Sequence, residues 1–191
     1  MLNSGFGQNL EILVGREQIA RRIRELGRQI SSDYQTSVPH LVGVLKGAWV
    51  FMADLIRALN MEVTVDFLGI ASYGSGAQSS GEVRITKDLD ESIEGRHVLV
   101  VEDILDTGQT FSYLRSILAQ RKPATLKLVT LLDKARRRIK PVKPDYVGFE
   151  IPDVFVVGYG LDYNQKYRQL PEVCFLRRSS NEVNPPPAFP R

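Results

Sequence analysis

Three carboxylates, Glu102, Asp103 and Asp106, crowd into one short stretch with Thr107, Gly108, Gln109 and Thr110. The stretch opens as an apolar, β-branched run from His97, the pattern of a strand covered on both faces, and a helix-period segment begins at about Thr110. Strand, tight loop and helix start follow one another directly. A helix N-terminus offers unpaired N–H groups and partial positive charge, and Gly108 lets the main chain curl closely around an anion. With the hydroxyls of Thr107 and Thr110 added, the loop suits a phosphate monoester. The upstream acids would repel a phosphate alone, so the ligand must bring sugar hydroxyls, a divalent cation or positive charge that develops during reaction. The bland alternative, an α/β crossover whose acids only cap and turn, does not account for three carboxylates and two hydroxyls after a buried strand.

A second anion-facing group is Lys46-Gly47, which closes the short apolar strand that begins at His40. Ligands of parallel α/β sheets bind where strands end and helices begin, so Lys46 is placed to meet an anion, although an exposed lysine after a strand is also ordinary. Lys134 likewise ends a strand over 125–133. The run Arg136, Arg137, Arg138, Lys140 follows, bounded by Pro141 and Pro144, and reads as a basic surface patch or a subunit contact rather than an RNA site. Cys174 sits in an apolar context, with no activating histidine nearby in sequence, and reads as a packing residue.

The elements that must position these groups alternate. Ile19, Ile23, Leu26 and Ile30 recur at helical spacing over 15–32, with Arg21, Arg22, Arg24 and Arg28 on what reads as the solvated face. Helices are also expected over 48–59 and 111–121, and strands over 40–45, 62–71, 97–105, 125–133, 146–152, 155–160 and 173–176. Between Ser72-Tyr73 and Gly81 the chain is almost free of apolar residues and reads as a lid over the strand ends. The alternation predicts an α/β sheet of mainly parallel strands flanked by helices. A small hood built from the N-terminal segment and about 155–176 would cover the strand ends. Residues 1–176 form one expected domain, and the Pro-rich 177–191 an expected disordered tail.

The composition agrees with an ordinary globular chain: 191 residues, 43% hydrophobic and 25% charged, with a mild formal charge of +3. That charge suits an anionic small ligand as readily as nucleic acid. No apolar run has the length of a membrane span and no basic-then-apolar leader opens the chain, so the cytoplasm is the expected compartment.

Taken together, Leu45-Lys46-Gly47, Ser72-Tyr73, Val101 to Gly108, Lys134, Lys143 to Asp153 and Phe155 to Tyr163 resemble the hypoxanthine-guanine phosphoribosyltransferases, within the type I phosphoribosyltransferase fold. The resemblance runs from about residue 40 to 176. The stretch around Asp106 resembles the binding signature for phosphoribosyl diphosphate (PRPP), and the late block points to 6-oxopurines. It implies transfer of the phosphoribosyl group from PRPP to a purine base with Mg²⁺, releasing pyrophosphate. Glu102 and Asp103 would address the ribose hydroxyls directly or through Mg²⁺, and residues 106–110 would wrap the 5′-phosphate. Asp106 would be the proton acceptor for purine N7. Lys134, a donor only, would prefer the O6 acceptor to the amino group of adenine. Phe155 would stack on the purine, and the main chain near Val156 would read its edge. Asp162 would bind a Mg²⁺ that also holds pyrophosphate, and Arg168 with Lys46-Gly47 would hold the pyrophosphate oxygens. In this family the peptide before the position matching Lys46 can be cis. Members are dimers or tetramers, so a homo-oligomer is expected, with neither membrane nor nucleic acid as partner. Gln109 departs from relatives that carry lysine there, removing a positive charge beside the phosphate. Two alternatives stand beside this reading: a nucleotide- and RNA-binding regulator on the same fold, and a transferase that prefers xanthine.

Overall fold

The computed structural model describes residues 10–72 and 83–176. Tyr73, most of the expected lid and the Pro-rich tail lie outside them. The chain runs β1 (Leu10–Val14), α1 (Arg16–Asp33), β2 (Pro39–Leu45), α2 (Trp49–Ala58), β3 (Thr64–Ser72), β4 (Val83–Lys87), β5 (His97–Leu105), α3 (Gln109–Gln120), β6 (Thr125–Asp133), β7 (Tyr146–Glu150), β8 (Val156–Val157) and β9 (Val173–Leu176).

Six strands form one sheet in the order β4-β3-β2-β5-β6-β7. All neighbours are parallel except β3 and β4. The apolar runs of β2 and β5 belong at the centre because each is covered on both faces. Leu41, Leu99, Val101, Val129 and Leu131 pack with α1 and α2 on one side. Val42, Val44, Val98, Val100 and Leu128 pack with Phe111, Leu114 and Leu118 of α3 on the other. Period-2 alternation along each strand thus builds two half-cores. Helix α1 buries Ile19, Ile23, Leu26 and Ile30, as its spacing requires.

From β2 the chain winds outward to β3, whereas from β5 it winds the opposite way to β6 and β7. The reversal lies between β2 and β5, and a crevice opens there beyond the C-terminal strand ends. The loop 46–48 and the loop 106–108 are its two lips.

A second sheet, antiparallel and in the order β1-β9-β8, joins the N-terminal segment to the late chain. Buried Val157, Leu170 and Cys174 form its own small core, and burial pushes the Cys174 thiol pKa up, as befits a packing residue.

Some expectations need correction. The strand expected over 155–160 is only Val156–Val157, because Gly158, Tyr159 and Gly160 all take positive φ and turn the chain. Strand β4 escaped sequence reading, since Val83–Lys87 is short and alternates polar with apolar after a segment without period. Arg22 is not merely solvated: its guanidinium donates to the Val147 and Gly148 carbonyls of edge strand β7.

Candidate active site

The phosphate-suited loop begins where β5 ends. Gly108 takes φ +80 and forms the N-cap of α3, so the first free amides of that helix open beside residues 106–110. The Thr107 hydroxyl accepts the Gln109 N–H at 3.4 Å, and the Ser112 N–H returns to the Gly108 carbonyl at 3.0 Å. Thr107 also accepts, at its carbonyl, the amides of Ile139 and Lys140 at 2.9 and 3.0 Å. The segment after β6 therefore clasps the back of the loop.

Glu102 is buried at the end of β5, in register with Thr130 of β6, while Asp103 is only partly covered. The Asp103 carboxylate accepts the Ile104 N–H at 2.8 Å and rests directly against Gly47, where an added Cβ would fall 1.7 Å from Oδ2. The loop 46–48 thus packs against the C-terminal part of β5. The peptide between Leu45 and Lys46 is cis.

The second sheet brings its own polar groups to the same place. A Cβ on Gly160 would lie 2.3 Å from the Gly47 carbonyl oxygen, so the turn after β8 is packed main chain on main chain against the loop after β2. Arg168 donates to the Gly160 carbonyl at 2.7 Å and pairs with Asp162 at 2.7 Å. Gln165 links these groups. Its amide donates to Asp162 at 2.9 Å, and its Oε1 accepts from Arg168 at 3.3 Å and from Lys46 at 3.4 Å. Tyr159 donates to Asp54 of α2, tethering the turn from behind. Burial, and then that bond, pushes the Tyr159 phenol well above its ordinary pKa, so it remains a donor.

Lys134 lies one strand over from Asp106. Its amide donates to Leu105 at 3.0 Å, which holds the ends of β5 and β6 level. Its side chain is buried, and the ammonium lies 3.7 Å from Asp153. Phe155 is 42% exposed and meets Tyr163 edge-on at 5.8 Å between ring centroids, which leaves ring surface available for stacking. Val156 is buried beneath it.

The structure thus gathers Lys46, Gly47, Glu102, Asp103, residues 106–110, Lys134, Phe155, Val156, Asp162 and Arg168 at one end of the sheet. Ser72 closes β3 in register with Val83 of β4, while Tyr73 falls outside the described residues. Sequence reading missed Asp153 and Gln165; of the basic run it read as a surface patch, Arg136, Arg137 and Lys140 are exposed as expected, and Arg138 is not. Arg138 is largely covered, pairing with Asp133 and donating to the Asp106 carbonyl at 3.0 Å. Arg137 lies 3.2 Å from the Asp106 carboxylate. Arg138 is thus turned in toward the site, while Arg137 stays at the surface with its guanidinium beside Asp106. Their spacing after the β6 strand end was the available signal.

Among the described residues no group of three or more His, Cys, Asp or Glu side chains could hold a metal unaided. The donors present, two carboxylates at the end of β5 and one on the opposite wall, suit Mg²⁺, which takes one or two carboxylates and completes its shell with water and substrate phosphates.

A family model described as "Phosphoribosyl transferase domain" matches residues 11–164. The chain is 50% identical over 167 residues to the hypoxanthine-guanine phosphoribosyltransferase of Bacillus subtilis (strain 168), covering 87% of this chain and 93% of that protein. A crystal structure of a hypoxanthine phosphoribosyltransferase from Staphylococcus aureus superposes with a TM-score of 0.88 at 46% identity, over 93% of this chain and 97% of the other. The hypoxanthine phosphoribosyl transferase of Trypanosoma cruzi gives 0.84 at 44% identity, over 90% and 93%.

Proposed function

The chain belongs to the phosphoribosyltransferase family, and from that premise we propose that it salvages 6-oxopurines, converting hypoxanthine or guanine and PRPP to IMP or GMP and pyrophosphate. The observation that carries the reading is the adjacency of an anion cradle at the start of α3 to a buried donor-only side chain, Lys134, fixed at the neighbouring strand end.

Each residue then has a task. The amides and hydroxyls of 106–110 hold the 5′-phosphate. Glu102 and Asp103 take the ribose hydroxyls and stabilise the positive charge that grows on the ring as the C1′–O bond to pyrophosphate breaks. The N9–C1′ bond forms as that bond breaks, and the purine N7 proton passes to Asp106. Aspartate is a weak base, yet the N7 proton becomes far more acidic as N9 bonds, which makes the transfer feasible. Lys134 donates to O6. Adenine offers an amino group there, leaving a buried donor facing a donor. Phe155 stacks on the ring. Lys46, Gly47 and Arg168 receive the pyrophosphate, and for Arg168 this means exchanging its bond to Asp162 for phosphate oxygens. Asp162 would hold a Mg²⁺ shared with the pyrophosphate, and Glu102 and Asp103 could reach the ribose hydroxyls through Mg²⁺; the ion would supply neutralising charge for the leaving group. Ser72-Tyr73 would root a lid that keeps water from the sugar. We place the enzyme in the cytoplasm, as a homodimer or homotetramer, by kinship.

The regulator alternative loses part of its support, since Arg137 and Arg138 pair with Asp106, Asp153 and Asp133 while only Arg136 and Lys140 of the run stand apart from these pairs. The test is a steady-state assay with PRPP and Mg²⁺ against hypoxanthine, guanine, xanthine and adenine. Turnover with hypoxanthine or guanine and rejection of adenine is expected; no turnover with any 6-oxopurine would remove the proposal, and faster turnover with xanthine would reassign the substrate.

A further inference from the structure

The reaction as described leaves Arg137 without a task. Its position is not that of a surface residue filling space. Nε lies 3.2 Å from Asp106 Oδ1, an ion-pair contact and not an aligned hydrogen bond, since that buried oxygen accepts none; Nη1 donates to Asp153 Oδ1 at 3.1 Å. That same Asp153 oxygen lies 3.7 Å from the Lys134 ammonium. One guanidinium therefore spans two carboxylates, and the second carboxylate touches the buried lysine. The order is Asp106, Arg137, Asp153, Lys134.

Within the proposed function, Asp106 addresses purine N7 and Lys134 addresses O6. Those two atoms are neighbours on one edge of a 6-oxopurine, so the residues that face the edge are the two ends of this chain of charges. Resting on that reading, we infer that Arg137 is a positioning residue for base recognition: hydrogen-bonded to Asp153 and ion-paired with Asp106, its guanidinium holds proton acceptor and O6 donor at the spacing of N7 and O6. The chemistry favours arginine for the task, because a guanidinium spreads its charge over a rigid plane and can donate to one carboxylate while lying against another, whereas an ammonium is a point charge that serves one carboxylate well. Asp153 performs the complementary work: a buried ammonium requires a counter-charge, and one tied to Arg137 gives Lys134 a fixed direction. The adjacent Arg138 differs, since its partners are Asp133 and the Asp106 main chain. Arg138 shapes the loop, and Arg137 aligns the side chains.

The inference is tested with Arg137→Ala, Arg137→Lys and Asp153→Ala beside the wild type, measuring kcat and KM for hypoxanthine and for PRPP, with thermal unfolding in parallel. The Arg137 side chain is 45% exposed and Asp153 53%, so solvent screens the pair and the effect is moderate. Arg137→Ala should lower kcat/KM for hypoxanthine about fivefold, with KM for PRPP changed less than about twofold. Arg137→Lys should recover only part of the loss. The double variant Arg137→Ala/Asp153→Ala should fall no further than the worse single variant, because both remove one linkage. Wild-type kcat/KM in Arg137→Ala, equal loss in the PRPP parameters, or additive losses in the double variant would each overturn the role. If Arg137→Ala does not fold, Asp153→Ala alone must show the same selective loss, and its absence overturns the role equally. A wild-type enzyme without turnover would instead sink the proposed function and take this role with it.

Discussion

Gly160→Ala probes the contact that joins the two sheets. Two penalties act at this position. The residue sits at φ +97, a conformation that an L side chain resists by about 1–2 kcal/mol. The new Cβ would also lie 2.3 Å from the carbonyl oxygen of Gly47. That neighbour is main chain and has no rotamer to escape into, so the turn after β8 and the loop after β2 must move apart, adding about 1–3 kcal/mol. The sum, about 2–5 kcal/mol, corresponds to a fall in Tm of about 4–20 °C for a chain of this size. Gly95→Ala isolates the first penalty, because Gly95 has φ +71 but nothing within 4 Å of the added Cβ. It should lose only about 1–2 kcal/mol. Differential scanning calorimetry of both variants gives the comparison, and a KM for PRPP raised about tenfold in Gly160→Ala alone would report the displaced Lys46-Gly47 loop. If Gly160→Ala proves no less stable than Gly95→Ala, the contact between the two loops is not the constraint that the geometry implies.

Asp106→Asn should lower kcat about tenfold or more with little change in KM for PRPP, since the amide keeps the shape of the loop but cannot take the N7 proton; unchanged kcat would refute the proton-acceptor role. Lys134→Met, of similar volume, should lose activity with hypoxanthine and narrow the gap to adenine, read as a ratio of kcat/KM values. Chelation of Mg²⁺ should abolish turnover, restored on adding the ion back. Burial pushes the Asp66 carboxyl up, but the amides of Asp90 and Phe67 and the Lys87 ammonium outweigh it and hold its pKa below the ordinary range. A depressed folded-state pKa contributes stability above the unfolded value, lost as pH falls through the folded one. Asp66→Asn should therefore lower Tm at pH 7, with the difference from wild type shrinking as pH falls below about 4.

The parts of this molecule legible in its sequence were those written locally. The β5 run, Gly108 and the hydroxyls lie in one segment, so strand, turn and helix start could be read without knowing what packs around them. Lys46 and Lys134 could be placed by the rule that strand ends meet at a parallel sheet's crevice. What could not be read was set by distant partners. Arg138 carries the same local signature as the exposed basic residues around it, and only the return of residues 139 and 140 to the Thr107 carbonyl turns it inward. Likewise, Val156 to Gly160 reads as a strand by composition, and the turn is dictated by the Gly47 loop against which it packs. Strand β4 pairs at the sheet edge with no apolar run to announce it.

In the proposed reaction the nucleobase-facing groups ride on the chain from Lys134 to Val156, whereas the sugar- and phosphate-facing groups ride mainly on the ends of β2 and β5. They meet through main-chain bonds at Leu105 and Thr107 and through Arg137 and Arg138, none of which involves the side chains of Lys134, Phe155 or Val156. Natural variation, or an engineer, can therefore retune which heterocycle is accepted by rewriting one late segment while leaving the grip on the ribosyl donor as inherited. Such a scaffold diversifies by swapping its reader and keeping its handle.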